Sequence, residues 1–164
     1  MKILLKSNLV SPKGRTALEV KRFLERVSRL LKEDINLVKD SFLNSPFYNH
    51  LGLEIIQFQD NNVKIKLAVK ENLLNANGTL HGGVLASMLD FIQGMLLRSV
   101  TKTKCVTISL NTHFLASVTE GDVFAEAKIL QLGYKIATLE GQITDSGNKL
   151  LAKGIGTFKI LRES

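Results

Sequence analysis

The chain has 164 residues, carries 22 Lys and Arg against 15 Asp and Glu for a net charge of +7, and is 45% hydrophobic. That length suits one domain with a core of its own, and ordinary hydrophobic and charged fractions exclude wholesale disorder. A single cysteine, Cys105, excludes a disulfide framework and fits a reducing cytoplasm.

The N-terminal end comes first. Met1-Lys2-Ile3-Leu4-Leu5-Lys6 has too short an apolar stretch for a signal-peptide core, and no apolar run along the chain reads as a membrane span. Ser11-Pro12-Lys13-Gly14 is turn-like. From about Thr16 the apolar residues Val20, Phe23, Leu24, Val27, Leu30 and Leu31 recur at helical spacing, with Lys21, Arg22, Arg26 and Arg29 mostly off that stripe. Lys32-Glu33-Asp34 is expected to break or bend this helix, leaving Leu37, Val38, Phe42 and Leu43 to a second short one that ends at Asn44-Ser45-Pro46. Residues 1–45 hold ten Lys and Arg against five Asp and Glu, whereas residues 46–164 hold twelve against ten. A solvated helix face accounts for this basic excess without nucleic acid or membrane as a partner. The stripe is expected to pack on the body of the protein or on a partner subunit.

Beyond Pro46 the period becomes two. Residues 51–59 read as a strand, Asp60-Asn61-Asn62 as a turn, and Val63, Ile65, Leu67 and Val69 as the dry side of a second strand. A polar loop over residues 71–80 leads into the most apolar segment, His81 to about Val100, which predicts a buried helix. Four further strands are expected near 104–116, 122–131, 134–145 and 150–161. The fold class is therefore α+β, with about six antiparallel strands wrapped round one long central helix. Such a sheet covers one side of the helix, and a second copy of the chain would cover the other.

Two features of this helix carry chemistry. Asp90 lies inside it, where a carboxylate is costly unless paired or solvated, and shares a polar stripe with Ser87 and Gly94. The stripe can face solvent or line a cleft with Asp90 as base or nucleophile. Ahead of the helix, Asn75-Ala76-Asn77-Gly78-Thr79-Leu80-His81-Gly82-Gly83 brings glycines to a helix start, where unpaired N–H groups suit a polarised carbonyl. Gly82 and Asp90 are separated by about 12 Å along the axis and about 80° round it, too far to serve one carbonyl from one straight helix. Two antiparallel helices in a two-fold dimer would bring them together.

Asn75-x-x-Gly78-x-x-His81-Gly82-Gly83, followed by Leu89-Asp90, resembles the signature of hotdog-fold acyl-CoA thioesterases of the phenylacetate-degradation (PaaI-like) type. The resemblance spans about residues 46–161, including Ser45-Pro46-Phe47, Leu51-Gly52 and the Gly133-Tyr134-Lys135 turn. It implies a hotdog thioesterase domain over 46–164 with a basic N-terminal helical extension over 1–45. In that family the glycine matching Gly82 donates its N–H to the thioester carbonyl, and the asparagine matching Asn75 helps to hold that oxygen. The aspartate matching Asp90 comes from the neighbouring subunit and activates water or attacks. His81 would sit beside the sulfur or orient the loop, and Thr107, ahead of Ser109, would position water where the family more usually has Ser. Gly83, Ser87, Lys135 and Lys159 are expected at the substrate, the lysines with Arg98 or Lys102 near CoA phosphates.

The expected reaction is hydrolysis of an aromatic or medium-chain acyl-CoA in the cytoplasm by a homodimer or dimer of dimers, without cofactor or metal. His50, His81 and His113 lack metal-ligand spacing, and Cys105 reads as a small buried hydrophobe. An acyl-CoA-sensing regulator with a basic DNA-binding segment is the alternative; Asp90 argues against it, and the N-terminal helix is short for a complete helix-turn-helix. A dehydratase of the same fold fits less well, because Asn75 with Asp90 suits hydrolysis.

Overall fold

The computed structural model describes residues 17–162, with the side chains of residues 29–33 left aside. The turn-like segment at 11–14 lies outside the described residues, as do the side chains of Leu30 and Leu31. The chain divides into two units between Asp34 and Ile35.

Helix α1 runs unbroken from Ala17 to Leu43, so Lys32-Glu33-Asp34 does not interrupt it. Lys and Glu are good helix formers, and a polar run interrupts an apolar stripe without interrupting the helical backbone. In the second unit its last turns bury Val38 and Phe42, with the Phe42 ring 6.4 Å from Phe58 and the Arg98 guanidinium 4.7 Å above it. Truncation tests this placement. Removing residues 1–34 should leave the sheet and central helix stable, whereas removing 1–44 should cost about 3–5 kcal/mol more in urea unfolding, as large core deletions do.

Pro46 begins a helix as well as ending one. Helix α2, Pro46–Leu51, has Pro at its first turn and closes on Gly52 at φ +74°. A proline at the first helical position gives up an N–H that would be unpaired there anyway. The strand expected from residue 51 therefore starts two residues later.

The sheet has six antiparallel strands: β1 Leu53–Gln59, β2 Asn62–Ala68, β3 Cys105–Phe114, β4 Asp122–Leu132, β5 Ile136–Asp145 and β6 Leu150–Ile160, in the order β1-β2-β4-β5-β6-β3. Helix α3, Gly82–Thr101, lies on the concave face. It buries Leu85, Met88, Leu89, Ile92, Met95, Leu96 and Leu97 with Ile65, Ala125, Leu139, Ile143 and Phe158 of the sheet. This is the hotdog arrangement. By length and composition alone α3 could cross a bilayer, contrary to the run-length reading, but most of it is buried inside the protein as core.

The helix sits very close to the strands beneath it. A Cβ on Gly156 would come 2.6 Å from Gln93 Oε1 and 2.8 Å from the Phe158 ring, so only glycine leaves room there. Gln93 is fully buried; its Nε2 donates to the Leu89 carbonyl at 3.0 Å, and its Oε1 has no partner. The convex face is wet instead, laced by Lys64–Glu126, Lys66–Glu54 and Lys128–Glu140 ion pairs.

The two edges differ. Strand β1 is short and kinked by a bulge at Ile56. Strand β3 is ten residues long and open along nearly its whole length, with Val106 47%, Ile108 57% and Phe114 54% exposed. An apolar edge of that length is a pairing surface.

Candidate active site

The loop before α3 is tied by its own asparagine. Asn75 Oδ1 accepts from the Asn77 N–H at 2.9 Å and the Thr79 N–H at 3.2 Å, while its Nδ2 donates to Thr79 Oγ1 at 2.9 Å. Gly78, at φ +72°, turns the chain back so that the Asn75 N–H reaches the Thr79 carbonyl. The loop's exit is then clamped, with the Leu80 N–H on the Val118 carbonyl and the His81 N–H on the Leu73 carbonyl. One hydrogen of the Asn75 amide is left over for a ligand.

His81 caps α3. Its Nδ1 accepts from the Gly83 N–H at 2.8 Å, which places the proton of the neutral ring on Nε2. The Val84 and Leu85 N–H groups both turn to the His81 carbonyl. Among the described residues, the Gly82 N–H is the first-turn donor left without a partner, at the positive end of the helix dipole. Gly82 is thereby distinguished from Gly83, whose donor is spent. The Phe114 ring lies over Gly82, 3.4 Å from where a Cβ would stand.

Asp90 is half-buried two turns further on, and its Oδ1 accepts a hydrogen bond from Thr107 Oγ1 at 2.7 Å. Thr107 and Ser109 would normally share one side of β3. A bulge between them breaks that rule, pairing Thr107 with Phe158 on the helix side and Ser109 with Thr157 on the convex side. Only Thr107 therefore meets Asp90. Ser87 spends its hydroxyl hydrogen on the Gly83 carbonyl at 2.8 Å, and Gly94 is buried beside Phe158, so the polar stripe contracts to Ser87 and Asp90.

Phe91, the residue after Asp90, gathers an aromatic cluster. Phe91 stacks on Phe47 at 6.0 Å and meets the Tyr48 ring edge-on at 5.6 Å. Burial pushes the Tyr48 hydroxyl up to about 12. Sequence patterning points to Phe91 and Phe47 but singles out neither Tyr48 nor Phe114, since an aromatic in a strand or helix carries no mark of the neighbour it will meet. Cys105 is half-buried, and desolvation, partly offset by Arg98, pushes its thiol up to about 11. It is a poor nucleophile there. Among the described residues no group of His, Cys, Asp and Glu could hold a metal.

Lys135 and Lys159 stand apart from this cleft, at the end of the sheet where β5 begins and β6 ends. Both are exposed.

A family model described as the thioesterase superfamily matches residues 77–152, from this loop to β6. An Archaeoglobus fulgidus protein named "Putative esterase" is 30% identical over 131 residues, spanning 79% of this chain and 84% of its own length. This chain belongs to the thioesterase superfamily. A solved structure described as a "putative esterase" from Mycobacterium tuberculosis is 27% identical with a TM-score of 0.70, covering 73% of this chain and 99% of its own. The Escherichia coli PaaI protein of the phenylacetic acid degradation operon has a TM-score of 0.74 over 82% of this chain and 98% of its own. At 20% identity that likeness shows the superfamily fold alone.

Proposed function

We propose that this superfamily member is an acyl-CoA thioesterase of PaaI-like type, acting on aromatic or medium-chain thioesters. The observation that carries the reading is the pairing of one unused backbone donor, Gly82 N–H, with one hydrogen-bonded carboxylate, Asp90, on the same helix. The Gly82 N–H donates to the thioester oxygen as charge develops on it, assisted by the spare Asn75 amide hydrogen. Asp90 takes the proton from an attacking water, or attacks the carbonyl itself, and Thr107 fixes its orientation. Water adds its oxygen to the acyl carbon, the C–S bond breaks, and the thiolate leaves with a proton. His81 holds the loop and helix start in register, with Gly83 and Ser87 beside the acyl path and Lys135 and Lys159 toward the phosphates.

The two groups serve one carbonyl when contributed by two subunits. The open β3 edge supports that arrangement, because pairing it with the same edge of a second copy covers Val106 and Ile108 and sets two α3 helices alongside each other. The resulting homodimer, or a dimer of dimers, has two composite sites. Residues 1–45 form an extension to the catalytic domain over 46–164, and the single thiol fits a cytoplasmic setting.

Thiol release from a series of aromatic, short, medium and long acyl-CoAs tests the activity and locates its acyl preference. No hydrolysis across that series would sink the reading. Gly82→Ala separates function from folding. Its Cβ would make only ordinary contact with Phe114, so the variant should keep its melting temperature. Its kcat/KM should nevertheless fall roughly 10- to 100-fold, because the methyl displaces the substrate from the N–H.

A further inference from the structure

We infer that Phe114, at the end of β3, is a positioning residue for the reaction, its ring forming the wall that holds the thioester carbonyl against the Gly82 N–H. This rests on the thioesterase reading and adds to it a residue from the far end of the strand that carries Thr107.

The bulge in β3 brings the ring there. Side chains alternate along a strand, so with Thr107 on the helix side an unbroken strand would turn residue 114 to the convex side. The extra residue between Thr107 and Ser109 reverses that alternation, and Phe114 pairs with the fully buried Ala152 on the helix side. One irregularity thus sets both ends of the strand, Thr107 toward Asp90 and Phe114 toward Gly82.

Backbone bonds then fix the ring's distance from the donor. The Leu115 and Ala116 N–H groups both turn to the Leu151 carbonyl, at 2.8 and 3.2 Å, and end the strand. The Val118 carbonyl accepts from the Leu80 N–H at 2.8 Å, just ahead of the helix start. The chain after Phe114 is therefore tied to β6 on one side and to the loop that carries Gly82 on the other. The rim of the ring faces that glycine, with Cζ 3.4 Å and both Cε atoms 3.6 Å from where a Cβ would stand.

The rim of an aromatic ring carries partial positive charge, which suits an oxygen gaining negative charge. Its apolar bulk also keeps water from the N–H, and a donor in a drier site interacts more strongly with that oxygen. The ring is 54% exposed, so much of its surface is left for a substrate. Phe114 and Gly82 belong to one chain. The ring therefore enters each composite site with the donor, opposite the subunit that supplies Asp90.

Phe114→Ala should lower kcat for an acyl-CoA about tenfold, with KM little changed and the melting temperature hardly moved. Phe114→Leu, which restores apolar bulk without the aromatic rim, should recover part of the loss. Subunit mixing separates positioning from damage to the strand. Phe114→Ala mixed with Asp90→Asn should gain activity, since one site then keeps donor, ring and carboxylate, whereas Phe114→Ala mixed with Asn75→Ala should gain none. A defect spread through the β3 edge would persist in both mixtures. A wild-type kcat in Phe114→Ala, or a loss carried by KM alone, overturns the proposal. So does a failure to gain with Asp90→Asn where Asn75→Ala with Asp90→Asn does gain. If the wild type hydrolyses no thioester, the thioesterase reading fails by itself, and the carbonyl contact is measured directly. The ketone analogue of an acyl-CoA, with CH2 in place of sulfur, should then shift the Gly82 amide resonance in the wild type and not in Phe114→Ala. No shift in the wild type, or the same shift in both, overturns the proposal.

Discussion

Replacing Asp90 with Asn is expected to lower kcat by roughly 10²–10⁴-fold, the range a positioned acid–base group contributes. The amide is the same size as the carboxylate, and its oxygen still accepts from Thr107, so the 2.7 Å contact across α3 and β3 is kept. Fold and melting temperature should hardly move. Because the lost interaction belongs to the transition state, KM should change little while kcat and kcat/KM fall together. Thr107→Val should cost less, since it removes the orienting hydroxyl and leaves the carboxylate in place. Wild-type turnover in purified Asp90→Asn protein would remove Asp90 from the reaction.

Mixing two inactive variants is expected to restore activity. Asn75→Ala unties the 75–79 loop, which loses both side-chain acceptor contacts to Asn77 and Thr79 and the donor to Thr79 Oγ1, along with the spare amide hydrogen. In a heterodimer of Asn75→Ala with Asp90→Asn, one composite site carries both intact groups and the other carries both lesions. Random exchange puts half the subunits' sites in heterodimers, so roughly a quarter of wild-type activity should return on that two-fold model. Thiol release during a subunit-exchange time course measures it. Exchange shown by mass spectrometry without recovered turnover would mean that Asp90 acts within its own chain or not at all.

Several features are legible in the sequence because they depend on local periodicity. The alternation through Val63–Val69 and the four later runs place strands within a few residues of where they stand. The nearly all-round apolar character of residues 82–101 makes that helix the core. The motif from Asn75 to Gly83 likewise shows its glycines directly. Short-range competition is less legible. Asn44-Ser45-Pro46 both stops α1 and starts α2, since a proline is excluded after one helix and welcome at the first turn of the next. Lys32-Glu33-Asp34 reads as a break, but polar residues interrupt a stripe without interrupting the backbone hydrogen bonds of α1.

By itself, the sequence determined the fold class, the buried helix, the glycine-led helix start and the separation of Gly82 from Asp90, because periodicity and spacing along one element set all of these. Tertiary structure decided which groups meet. A bulge in β3 turns Thr107 toward Asp90 and Ser109 away, an outcome of pairing with β6 that residue identity does not encode. His81 consumes the Gly83 donor and leaves Gly82 free. Glycines in β5 and β6 let α3 approach closely enough for Gln93 to be buried, and only the folded sheet brings those strands beneath it. Spacing along a helix is a property of the chain, whereas a contact across the sheet requires two distant segments to share register.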